Sequence, residues 1–186
     1  MKKAALIGLS LLAFGANASD APRDFYVGLN LRPTGTIDID ALSQDLDLGA
    51  SFAFGKRFDL DGGWLIDGEI EYLYMGSNTM SNNGLSMETT GSGLSLNVKP
   101  TYKFSDSGLY LAGLVGVGSY SVELEVRDDQ GSIKAEDDGL GFTYGLEAGY
   151  DANRFGLALG YKNVAADIDS LSVDYSSFYF GAKYKF

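Results

Sequence analysis

The chain has 186 residues, with 25 Asp and Glu against 14 Lys and Arg, a formal net charge of −11, and neither histidine nor cysteine. So acidic a balance excludes nucleic acid as a partner, because phosphate binding calls for clustered cations. Without histidine or cysteine the commonest general base, the usual zinc ligands and any disulfide framework are missing, and no cofactor is expected.

The first element is an export signal. Met1-Lys2-Lys3 precedes an apolar run from Ala4 to Ala16, and small residues stand at Ala16 and Ala18 ahead of Ser19. This layout predicts a signal peptide over residues 1–18, cleaved after Ala18, with one domain over 19–186. No later apolar run approaches the ~18 residues of a membrane helix.

The remainder of the chain alternates with period two, the mark of β-strands. Residues 24–32 set Phe25, Val27, Leu29 and Leu31 against Tyr26, Gly28 and Asn30. Residues 46–58 set Leu46, Leu48, Ala50, Phe52, Phe54 and Phe58 against Asp47, Gly49, Ser51, Gly55 and Arg57, and residues 64–75 set Ile66, Ile70, Tyr72 and Tyr74 against Asp67, Glu69 and Glu71. A fourth strand over about 91–104 opposes Leu94, Leu96 and Val98 to Ser95, Asn97 and Lys99. The fifth, 109–126, alternates in its upper half but carries apolar residues or glycine on both faces below, which suggests a bulge. Strands over 140–151, 155–162 and 178–186 complete a set of eight.

The expected fold is all-β, an eight-stranded antiparallel up-and-down transmembrane β-barrel. Strand lengths match the ~9–11 residues of a tilted membrane strand. Connections alternate between short turns and long polar loops, as in outer-membrane barrels, which puts both termini on the periplasmic side. Phe25, Phe58, Trp64, Phe104, Tyr150, Phe155 and Phe186 would form one aromatic girdle, and Tyr72, Tyr74, Phe142, Tyr144 and Tyr161 the other. A continuous apolar band of this size suits lipid and not water.

Three segments carry a family resemblance: residues 25–29 (FYVGL), residues 110–118 (YLAGLVGVG) and the closing residues 177–186 (SFYFGAKYKF). With them the chain resembles the small OmpA-like and OmpX-like outer-membrane β-barrel family across residues 24–186. The resemblance implies outer-membrane lipid as surroundings and recognition by the barrel-assembly machinery through Phe178, Phe180, Ala182, Tyr184 and Phe186. Longer OmpA-type proteins continue into a peptidoglycan-binding domain, whereas this sequence stops at Phe186, so cell-wall tethering is not carried over.

Two sets of residues are candidate sites. Asp67, Glu69 and Glu71 face Arg57, Lys99 and Lys103 on adjoining strands, with Glu147, Lys162, Lys183 and Lys185 extending the set, and are expected to plug the lumen with ion pairs. Asp38, Asp40, Asp45 and Asp47 flank the first external loop and Asp167, Asp169 and Asp174 the last, a corner that forms either a calcium site or a solvated acidic rim. Gly113, Gly116 and Gly118 lie within a strand and suit close packing, not phosphate binding. Serine-histidine catalysis is excluded by composition. The expected function is therefore a non-enzymatic barrel that supports envelope integrity or presents its external loops to a surface partner. A narrow ion pore is second and a lipid-modifying enzyme third.

Overall fold

A computed structural model describes residues 24–186 except 40–41, 83–84, 105–106, 129–130 and 169–170, so the expected signal peptide and its cleavage point lie outside the described residues. The chain forms β1 (Phe25–Arg32), β2 (Gly35–Ile39), β3 (Leu42–Leu46), β4 (Gly49–Asp59), β5 (Trp64–Asn82), β6 (Leu85–Lys103), β7 (Leu109–Asp128), β8 (Gly131–Asp151), β9 (Phe155–Ile168) and β10 (Leu171–Lys185). All belong to one antiparallel sheet, which closes where β1 pairs with β10.

The ring has eight staves because two of them are interrupted. β2 continues β1 and β3 leads into β4, with both halves of this first hairpin in one register. Against β10 the stave slips by one residue between the Leu31↔Phe180 and Gly35↔Ser177 pairs. Pro33 stands at the slip, where its lack of an N–H costs no ladder bond. At the other end the Phe186 amide donates to the Phe25 carbonyl at 3.0 Å, tying the C-terminus to the first stave.

Short turns lie at the end that carries both termini. One is the 3-10 turn Asp61–Gly63, where Gly62 (φ 73°) and Gly63 (φ 84°) adopt left-handed backbone that a side chain would resist. At the opposite end the expected long loops are mostly strand. β5 to β8 run for 19 to 21 residues, and Asn82 pairs with Leu85, Asp128 with Gly131 and Ile168 with Leu171. Paired strands satisfy their own backbone groups, so polar Ser, Thr and Glu residues that read as loop extend the sheet beyond the apolar band.

The outer face is apolar and closes in aromatics as expected. Leu29, Ile70, Leu96, Val117, Leu146 and Leu157 are exposed around the belt, and Phe58, Trp64, Phe104, Tyr150 and Phe155 ring its short-turn end. Phe25 stacks on Phe54 at 5.9 Å, Phe155 packs on Tyr184 at 5.2 Å, and Lys56 lies 5.2 and 5.1 Å from the Phe25 and Phe58 rings. A lysine at this level reaches the interface along its own stem. No helix among the described residues is long and apolar enough to cross a membrane, a test that does not bear on strands.

Two strand phases differ from the sequence reading. The register of β7 against β8 is unbroken from Leu109↔Tyr150 to Asp128↔Gly131, so β7 has no bulge there; the irregularity lies in β5, between Tyr74 and Gly76. Both faces of β7 are apolar because Leu109, Leu111, Val115 and Val117 face outward, whereas Tyr110, Ala112, Leu114 and Tyr120 are buried in the barrel. Leu46 likewise points inward and is buried, unlike Leu48 and Phe52, because the break at residues 47–48 separates β3 from β4.

Candidate functional site

The interior is built from every second residue of each stave, and its chemistry changes with height. Nearest the short turns, Arg57 grips Asp67 with two hydrogen bonds, Nε to Oδ1 at 2.8 Å and Nη2 to Oδ2 at 2.9 Å, and reaches Asp151 at 2.5 Å. Lys185 pairs with the other Asp151 oxygen at 3.0 Å and donates to the Ala152 carbonyl. One planar guanidinium thus bridges two carboxylates from opposite sides of the ring.

The next level centres on Glu147. It accepts from Lys99 at 2.9 Å, Lys183 at 2.7 Å, the Tyr110 hydroxyl at 2.8 Å and the Tyr179 hydroxyl at 2.7 Å. Lys99 also binds Glu69 at 3.1 Å, which accepts from the Tyr26 hydroxyl at 2.6 Å. Above this, Glu71 pairs with Arg32 at 3.2 Å and with Lys162, and accepts from the Asn97 amide at 3.0 Å. All these charged groups are buried, and each charge has a partner of opposite sign, the condition under which ions persist in a dry interior.

Higher still the charges stop. Leu73, Met75, Val164, Ala166, Ile168, Val173, Ile37 and Leu46 pack with the rings of Tyr120 and Tyr175 in one apolar cluster. The two hydroxyls are satisfied locally, Tyr175 donating to the Met75 carbonyl at 3.3 Å and Tyr120 bonding to Thr143. Above this layer the mouth opens into a cavity of about 410 Å³.

Of the lumen residues expected from sequence, Arg57, Asp67, Glu69, Glu71, Lys99, Glu147, Lys162 and Lys183 meet in this network. Lys103 does not: it is half-buried near the short-turn end and makes no ion pair among the described residues. Glu71 pairs across the barrel with Arg32 and Lys162, not with the neighbouring β6 lysines. Arg32 and Asp151 are the last residues of the strands expected over 24–32 and 140–151 and were not singled out, although each keeps the parity of its strand's polar face. The inward tyrosines carried a signal, since Tyr26 and Tyr179 share the polar face of their strands.

The acidic corner stays open. Asp38, Asp45, Asp47, Asp167 and Asp174 are exposed, Asp40 and Asp169 lie outside the described residues, and no group of three or more acidic ligands is placed to hold a metal among the described residues. Asp38 stands across from Asp174, and Asp45 accepts from Thr36 at 3.1 Å. On the projecting β7–β8 hairpin, Glu125 pairs with Arg127 at 2.7 Å and Lys134 at 3.1 Å. Hydrogen bonds from Arg127 and then Lys134 hold its carboxyl at about 2, against an ordinary 4.5.

A closed ring of eight antiparallel staves with a lipophilic outside and an ionic inside defines a membrane-spanning β-barrel of the outer-membrane type. The model of the outer membrane protein beta-barrel domain matches residues 4–186, and the chain belongs to that family. The fold is similar to that of Ail, the attachment invasion locus protein of Yersinia pestis, solved with the heparin analogue sucrose octasulfate: TM-score 0.59, 14% identity, covering 88% of this chain and 98% of that one. It is also similar to Neisserial surface protein A (0.56, 16%, 87% and 97%) and to a major outer membrane protein from Thermus thermophilus (0.56, 14%, 87% and 99%). No curated protein matches the sequence significantly. The protein is a small outer-membrane β-barrel, with the short turns periplasmic and the long hairpins external.

Proposed function

We propose that the protein is a non-enzymatic, non-conducting barrel that presents its external hairpins to a partner at the cell surface. The observation that carries this reading is strand length. β5 to β8 have 19 to 21 residues, whereas crossing the membrane takes only ~9–11. The outward row of β7 changes from Leu109, Leu111, Val115 and Val117 to Ser119, Ser121, Glu123 and Glu125, and that of β8 from Tyr144, Phe142 and Leu140 to Asp138, Glu136 and Lys134. A paired sheet that continues into water is more rigid than a loop and loses less entropy when bound.

The outer row of this sheet is mainly acidic, with Glu88, Glu123, Glu125, Glu136 and Asp138 against Arg127 and Lys134. A cationic partner surface complements it, unlike the sulfated sugar seen with Ail. The ion-paired interior supports the non-conducting part, since every carboxylate of the plug has a cation, although Arg32 Nε and Nη1, Asn97 Oδ1, Asn163 Oδ1 and Ser177 Oγ are buried without a hydrogen-bond partner among the described residues. The absence of histidine from the sequence supports the non-enzymatic part. Phe178, Phe180, Tyr184 and Phe186, which share one outer row, are read as the segment offered to the assembly machinery.

The test is to shorten the β7–β8 hairpin outside the membrane, replacing residues 122–137 with a tight turn, in cells that display the protein. Capture on polylysine-coated beads is expected for the intact barrel and lost for the shortened one, and heparin-coated beads capture neither. Equal capture of both forms, or discrete conductance steps from the refolded intact protein in a planar bilayer, overturns the proposal.

A further inference from the structure

The cavity in the external mouth has a different character from the hairpin surfaces. Its walls include Ile37, Val122, Ile168 and Val173, and its polar lining is Gln44, Thr89 and Asp137. Its volume of about 410 Å³ falls within the ~300–1,000 Å³ of sites that enclose small organic ligands. The floor is the apolar cluster around Tyr120 and Tyr175, and beneath that lies the ionic plug, so the cavity is blind and opens only outward.

Such a lining is not what a water-filled vestibule selects. The same strands carry most of their charges on the opposite face, with Glu123 and Glu125 alternating with Val122 and Leu124 on β7, and Glu136 and Asp138 alternating with Ala135 on β8, where Asp137 alone of these charges faces the mouth. The hairpins are amphipathic with the apolar side turned into the mouth, although that side is outside the membrane. An enclosed apolar cavity of ~150 Å³ takes up an apolar guest, and covering the apolar wall of this open one with an alkyl chain removes the same kind of surface from water. Packing alone would have filled this one, as it fills the layer directly below.

We infer that the external mouth is a binding cup for the alkyl chain of a single-chain amphiphile whose head group is neutral or positively charged. The chain lies against Ile37, Val122, Ile168 and Val173, and the head sits at Gln44 and Asp137. The head group follows from the lining charge: among the described residues Asp137 is the one ionisable side chain of the lining, and no lysine or arginine lines the cup to receive a carboxylate or sulfate. This goes beyond the surface-partner reading, because it concerns the concave side of the hairpins and a small molecule.

The test uses the full barrel in nanodiscs, with methyl-labelled Ile, Leu and Val observed by NMR and empty nanodiscs as the partition control. Added dodecyltrimethylammonium or dodecanol shifts the Ile37, Ile168 and Val173 methyls saturably, while the lipid-facing Ile66 and Ile70 follow bulk partitioning only. Across a series of 1-alkanols the affinity rises about fourfold per methylene until the cup is full and then levels off. Val122→Phe fills the cup and weakens binding at least tenfold with the Ile66 and Ile70 signals unchanged. Asp137→Asn, on the exposed rim, removes the preference for dodecyltrimethylammonium over dodecanoate and leaves dodecanol unaffected. Cup methyls that shift no more than Ile66 and Ile70, a flat chain-length series, or tighter binding of dodecanoate than of the ammonium overturns the inference.

Discussion

The two halves of the barrel interior share one wall and solve opposite problems. Towards the periplasm the inward row of β5 reads Asp67, Glu69, Glu71, and towards the outside Leu73, Met75; on β9 Lys162 gives way to Val164, Ala166 and Ile168, and on β10 Lys183, Tyr179 and Ser177 to Tyr175 and Val173. The change falls at one height on three staves. Below it, charges are buried and therefore cross-linked, by Arg57, Glu147 and Glu71, into a net that spans the ring. Above it, the wall is held by apolar packing, which is non-directional and tolerates an open cup. An ionic plug demands that every group find its partner, whereas an apolar layer demands only volume and shape. Closure is thus assigned to the first half and adaptability to the second.

The largest expected effect comes from breaking the ionic half. Glu147→Ala removes the acceptor of two lysines and two tyrosines and leaves cations unpaired in a dry lumen, so unfolding in lipid, followed by Trp64 fluorescence, should show a loss of about 3–5 kcal/mol. A loss below that of an outer-surface control such as Ser121→Ala would mean that the plug does not hold the wall. In the apolar half, Leu73→Ala should cost less, about 2–3 kcal/mol, because the space above lets neighbours relax. Equal losses at Glu147 and Leu73 would erase the contrast between the halves.

The smallest effect lies beyond both, on the projecting β7–β8 hairpin. Glu125 has a depressed pKa of about 2 when the hairpin is folded. Its contribution is therefore full above its ordinary 4.5 and is lost as pH falls through about 2. Hydrogen-exchange protection around Glu125 and Lys134 should hold from neutral pH down to about 5 and decline below it, with Glu125→Gln lower and flat across the range. A decline that starts near neutrality would assign the hairpin's order to some other group.

Much of this was legible in order along the chain. Period-two alternation located the strands, and the run Asp67, Glu69, Glu71 beside Arg57 and Lys99 announced an ionic lumen, because charges repeated on one strand face have few places to go except inside or into water. The aromatic rows of residues 178–186 and 142–150 were likewise readable. Alternation, however, names two faces without saying which is the lumen, and β7 is apolar on both. Arg32 and Asp151 keep the parity of the polar face but sit at strand ends, where no later residue reinforces the rhythm. Lys103 keeps the rhythm yet reaches no carboxylate, because what pairs in a ring depends on height as well as face.

The sequence by itself determined the strands, the lipid-facing belt and most of the charged set, since these follow from spacing along one chain and from the cost of exposing apolar surface. Only the tertiary structure decided who pairs with whom and where the charges end. Glu71 and Lys162 stand 91 residues apart and meet because closing the ring brings β5 and β9 across a shared lumen. The same closure gathers Ile37, Val122, Ile168 and Val173 from four separate staves into one cup.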